Sequence, residues 1–103
     1  MDLFVVLSGP GPAREMTLGT RQQPYWNDHA EFIDRLVTEG FIVLGGPFED
    51  EGGAMIVVRA RSENEVRARL ADDPWYRQGV LNLERVSRWT MFIDQRLPSP
   101  AAG

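Results

Sequence analysis

The 103-residue chain has no cysteine, no lysine and a single histidine, His29. Without cysteine there are no disulfides, thiolate nucleophiles, iron–sulfur clusters or cysteine-ligated zinc sites. All 11 basic residues are arginine, so no amine can form a Schiff base and no lysine can complete a phosphate-binding P-loop. One imidazole cannot build a site that needs two or three histidine ligands within one chain. The expectation is therefore of no cofactor and no metal. Long apolar runs are missing too. Residues 3–7 form an apolar run of five, preceded by an acid and by no basic segment, which is too short for a signal peptide or a spanning helix. The chain reads as cytoplasmic, with no membrane contact. Fifteen acids against 11 arginines give a net charge of −4, which argues against nucleic acid as a partner, as does the lack of an aromatic and basic stripe.

What is present is 43% hydrophobic and 25% charged, the profile of one soluble globular domain. Its expected extent is 1–96, with a loose tail of small and polar residues at 97–103. Residues 3–7, Leu-Phe-Val-Val-Leu, read as a strand covered on both faces. Ser8-Gly-Pro-Gly-Pro12 stops it, and a long surface loop follows to Gln23. A phosphate cradle is excluded here because Pro10 and Pro12 remove two of the N–H donors it would need. Residues 24–39 carry a helical stripe of Trp26, Ala30, Ile33 and Val37 flanked by Phe32 and Leu36, ended by Gly40 as a C′ glycine. Two starts fit: Pro24 at the first helical position, or Asp28 as cap with Glu31 completing a capping box.

Residues 41–44 form a second strand, stopped by Gly45-Gly46-Pro47, and residues 54–59 a third, after a hairpin-like acidic connection at 49–53. Ser62 opens a second helix, with Glu63 and Glu65 placed to favour its N-terminal dipole. Asp72-Asp73-Pro74 closes it. A fourth strand runs over 81–93, with Leu81, Leu83, Trp89, Met91 and Ile93 on one phase and Val86 and Phe92 on the other. The order βαββαβ is that of the ferredoxin-like α+β fold, one antiparallel sheet with both helices on one face. Strands 3–7 and 54–58 are apolar on both sides, so the helices leave one apolar face bare. At about 25 cal/mol per Å², several hundred Å² of such surface represents on the order of 10 kcal/mol left in water. A sheet-to-sheet homodimer would cover it.

Chemistry concentrates on two residues. His29 precedes Ile33 by four and Leu36 by seven, so it shares the buried stripe. It reads either as a neutral core histidine bonded once or as a titratable group aimed at a pocket. Asp73 reads either as a helix-stopping acid before proline or as a carboxylate for that imidazole, since the topology brings the end of the second helix onto the layer of the first. Such a pair fixes the tautomer and stabilises the imidazolium. Around them, Ser8 offers a hydroxyl at a strand end, and Gly45 and Gly46 permit a tight turn or a backbone approach to ligand. Tyr25, Trp26 and Trp75 read as packing, and Arg14 as solvated or reaching for an anion.

The ordered set His29, Gly40, Gly45-Gly46-Pro47-Phe48, Gly53 and Asp73-Pro74-Trp75 with Gly79 resembles the YCII-related (YciI-like) family over residues 3–94. The resemblance implies a ferredoxin-like subunit in a dimeric α+β barrel, similar to muconolactone isomerase. It also implies an active-site histidine and aspartate, which map onto His29 and Asp73. Most members have no established activity, and one branch dehydrochlorinates a chlorinated hydroxyquinol. Trp75 stands where the family often has phenylalanine. The expected function is a cofactor-independent proton transfer, isomerase or dehydrochlorinase in type, on a small cyclic substrate. His29 and Asp73 would be catalytic, and Ser8, Gly46, Pro47 and Trp75 would contact the small-molecule ligand. The alternative is a non-catalytic ligand-binding or regulatory dimer. A water-accessible cavity with His29 in its wall would favour chemistry, and a fully packed imidazole would favour the alternative.

Overall fold

The computed structural model describes residues 1–49 and 52–96. The expected loose tail at 97–103 and the Asp50-Glu51 part of the acidic connection lie outside them. The strands are β1 (Asp2–Pro10), β2 (Ile42–Pro47), β3 (Ala54–Ala60) and β4 (Leu81–Trp89); the helices are α1 (Trp26–Thr38), α2 (Glu63–Leu70) and a one-turn α3 (Pro74–Arg77), with a 3₁₀ turn at Thr20–Gln22. The sheet order is β2-β3-β1-β4, every pairing antiparallel. This is the ferredoxin-like α+β architecture. Among the described residues no helix is long and apolar enough to cross a membrane.

Period-two alternation divides each strand between two faces. Phe4 and Val6 of β1 share a face with their partners Val58 and Ile56. That face meets Phe32 and Leu36 of α1 and Val66 and Leu70 of α2 in one core, so both helices lie on the same side. Helix α1 ends as expected at Gly40, whose φ of +80° lets the Gly40 N–H reach the Val37 carbonyl and the Phe41 N–H reach the Leu36 carbonyl, a Schellman closure. Ser62 caps α2 by accepting from the Glu65 N–H at 3.1 Å.

Several expectations need correction. Strand β1 does not stop at Leu7 and β2 does not stop at Leu44: each runs through its Gly and Pro residues, to Pro10 and Pro47. Pairing with a neighbouring strand overrides the local breakers, and the prolines are tolerated because each is the last residue of its strand and β2 is an edge. Gly45 is required there, since a Cβ would lie 2.6 Å from Ile56 Cγ2. Strand β4 ends at Trp89 rather than Ile93, because Trp89 pairs with Leu3 and β1 begins one residue earlier. The two phases read in β4 are regrouped: the register slips between Leu7–Arg85 and Ser8–Leu83, and this bulge at Glu84 returns Val86 to the face of Leu81 and Leu83 and sends Trp89, the partner of Leu3, to the other. Neither proposed start of α1 occurs. The cap is Tyr25, in a left-handed conformation at φ 63° with no side-chain cap, and Asp28 lies in the first turn.

Candidate active site

His29 is in the first turn of α1, its N–H donating to the Tyr25 carbonyl at 2.9 Å. Asp73 caps α3, with Pro74 at the first helical position; the Asp-Pro pair read as a stop also starts a new helix. The two side chains meet across 44 residues of chain: His29 Nδ1 lies 2.9 and 3.0 Å from the two carboxylate oxygens of Asp73. Asp73 is 1% exposed, and a carboxylate so buried needs partners. Besides the imidazole it accepts from the Trp75 N–H at 2.9 Å. A carboxylate only accepts, so it fixes the proton on Nδ1 and leaves the Nε2 lone pair free whenever the ring is neutral.

Trp75 holds the imidazole from the side. Its indole stacks on the His29 ring at 3.7 Å between centroids and 6° between planes, and its Nε1–H donates to the Pro24 carbonyl at 2.7 Å. Trp26 closes the cluster, 5.8 Å from His29 and 5.6 Å from Trp75. The segment leading into α1 is fixed in turn by Gln23, whose amide donates to the carbonyls of Glu15 and Leu18 and accepts from the Glu15 N–H.

His29 forms part of the wall of a cavity of about 370 Å³ between the sheet and helices α1 and α3. Nε2 has no hydrogen-bond partner among the described residues, and no buried side-chain nitrogen or oxygen there is left without one, so Nε2 is an accessible atom of a ring that lines the cavity. Of the expected ligand contacts, Ser8, Gly46, Pro47 and Trp75 all line it. Arg14 does not; its guanidinium lies over Gly52. Tyr25 is outside the wall as well, whereas Arg21 and Thr20 belong to it. The residue that sequence reasoning missed is Tyr76, which lines the cavity and whose hydroxyl bonds that of Ser8. Burial raises its pKa above the ordinary 10.0; the Ser8 hydrogen bond opposes this and the charge of Asp73 reinforces it. Recognising α3 from Asp73-Pro74 would have placed Tyr76 one turn from the carboxylate. No three or more His, Asp or Glu side chains converge as a metal site among the described residues.

The family model described as YCII-related domain matches residues 3–90. No curated protein matches the chain. A solved structure from Burkholderia phenoliruptrix AC1100, 5-chloro-2-hydroxyhydroquinone dehydrochlorinase in complex with 2,5-dihydroxybenzoquinone, superposes with a TM-score of 0.61 at 23% identity, covering 85% of this chain and 93% of that one. At that identity the likeness establishes the fold.

Proposed function

The chain belongs to the YCII-related domain family, and from that premise we propose that it is a small enzyme in which His29, oriented by Asp73, moves a proton on a small cyclic substrate without a bound cofactor. The observation that carries this reading is an imidazole clamped through Nδ1, with no protein partner on Nε2 among the described residues, in the wall of a largely apolar cavity of about 370 Å³. A neutral Nε2 accepts a proton from an acidic C–H or O–H, Asp73 stabilises the imidazolium that results, and the same nitrogen returns the proton elsewhere on the substrate or leaves it for solvent. Isomerisation and elimination of a halide both fit this cycle. The solved relative is named for a dehydrochlorination and holds a dihydroxyquinone, and a ring of that size suits the cavity. Ser8, Gly46, Pro47 and Trp75 are the proposed substrate contacts.

The reading extends to the assembly. Leu3, Val5, Leu7, Met55, Val57 and Trp89 share the sheet face opposite the helices by their pairing, and a second copy of the chain packed there would bury it as a homodimer. The test of the chemistry is His29→Ala assayed for chloride release from 5-chloro-2-hydroxyhydroquinone and for turnover of small aromatic lactones. Activity is expected to fall by about 10²- to 10⁴-fold with the fold retained. An active variant would overturn the assignment.

A further inference from the structure

The proton-transfer reading places Ser8 among the substrate contacts but gives no role to the Tyr76 hydroxyl, to which the Ser8 hydroxyl is bonded. Ser8 is 6% exposed and sits where β1 slips register against β4. Gly53 packs so closely behind it that a Cβ there would lie 2.2 Å from the Ser8 carbonyl oxygen. Its side chain is thus presented from a fixed backbone. Tyr76 belongs to α3, the short helix that also carries Asp73 as its cap and Trp75 as the imidazole's stacking partner. That helix is tied down again by the Val80 N–H bonding the Trp75 carbonyl at 2.9 Å. The two hydroxyls bond each other and both line the cavity that His29 lines. Much of the remaining wall is apolar, including Ile33, Ile42, Ile56 and Leu81.

A proton count shows what the pair offers. Two hydroxyls carry two protons, and their mutual bond uses one. The other has no protein partner among the described residues.

Resting on the proton-transfer reading, we propose that Tyr76 is a substrate-binding residue whose hydroxyl donates to a carbonyl-type oxygen of the substrate, with the Ser8 hydroxyl donating to Tyr76 in turn. His29 Nε2 then meets the acidic proton of the same molecule. The substrate class that satisfies both ends is a small, flat ring carbonyl compound bearing an acidic O–H or C–H beside the carbonyl. Burial and the nearby charge of Asp73 keep Tyr76 protonated through neutral pH, so it serves as a donor rather than as a base. A donor held at the site where carbonyl oxygen gains charge as its neighbour loses a proton also stabilises the enolate-like state.

Tropolone, which has a carbonyl beside an acidic hydroxyl, and tropone, which has the carbonyl alone, separate the two ends. Their binding is measured by absorbance and calorimetry to the intact chain and to four variants. Tyr76→Phe, which keeps the ring in its place, is expected to weaken both probes by roughly fivefold to tenfold, the effect of one lost hydrogen bond. Ser8→Ala should weaken both by less, and the double variant should be no worse than Tyr76→Phe, since Ser8 acts through Tyr76. His29→Gln should weaken tropolone and leave tropone unchanged. The assignment is overturned if Tyr76→Phe binds tropone as well as the parent does, if Ser8→Ala costs more than Tyr76→Phe, or if the parent binds neither probe. A His29→Gln variant with unaltered tropolone binding overturns the proton-transfer reading and leaves that of Tyr76 standing.

Discussion

Consecutive residues of β1 live in two different worlds. Phe4, Val6 and Ser8 are buried on the side of the helices, while Leu3, Val5 and Leu7 are half-buried on the opposite face of the sheet. The inner face is itself divided. Toward Phe4 it is solid, closed by α1, α2 and the Arg88 guanidinium 5.6 Å over the Phe4 ring. Toward Ser8 it opens into the cavity, whose wall includes the stacked indole and imidazole. One strand thus serves three purposes, and what differs is what stands opposite: packed aliphatic side chains, polar groups around a void, or a surface suited to a second copy.

The sharpest way to break this comparison is on the solid part. Phe4→Ala removes a ring that is 2% exposed and should cost about 3–5 kcal/mol of unfolding free energy by urea titration. A cost near zero would mean that the inner face is not the core. On the outer face, Met55 and Trp89 are 41% and 40% exposed. The pair Met55→Arg and Trp89→Arg should leave the circular dichroism spectrum intact, each change costing within about 0.5 kcal/mol in the monomer, yet halve the mass seen by light scattering. A parent that is monomeric at the outset would contradict the proposed dimer. The smallest effect lies at the cavity and depends on pH. Because folding raises the Tyr76 pKa above 10.0, the folded state holds its proton longer than the unfolded state does. Stability should therefore fall as pH rises from about 10 towards the folded value, following proton linkage. In Tyr76→Phe that component of the alkaline slope should vanish, as read by melting temperature across the same range.

How far this arrangement is legible in the sequence depends on whether the deciding contact is local. Gly40 and Ser62 announce their caps because the conformations they permit involve only residues a turn away. The stripe of α1 is legible in part: Phe32 and Leu36, read beside it, are its buried residues, whereas Val37, read on it, is 50% exposed. Ser8-Gly9-Pro10 and Gly45-Gly46-Pro47 mislead because strand pairing with distant segments carries the backbone through residues that locally favour a break. The phase change in β4 needs a bulge at Glu84 that no alternation pattern encodes. At the site, His29 stands out as the one imidazole on an apolar stripe, and Asp73 as an acid that the βαββαβ order brings near it. Tyr76 escapes notice because its importance comes from a hydroxyl contact to Ser8, 68 residues away.

The central claim is that Asp73 holds the proton of His29 on Nδ1 and leaves Nε2 facing the cavity. With a single histidine in the chain, a long-range proton–nitrogen NMR spectrum gives one imidazole pattern, recorded above the ordinary titration range of the ring. The structure requires a protonated Nδ1 and a bare Nε2, a pattern that Asp73→Leu should abolish. A proton found on Nε2 in the parent chain would contradict the account.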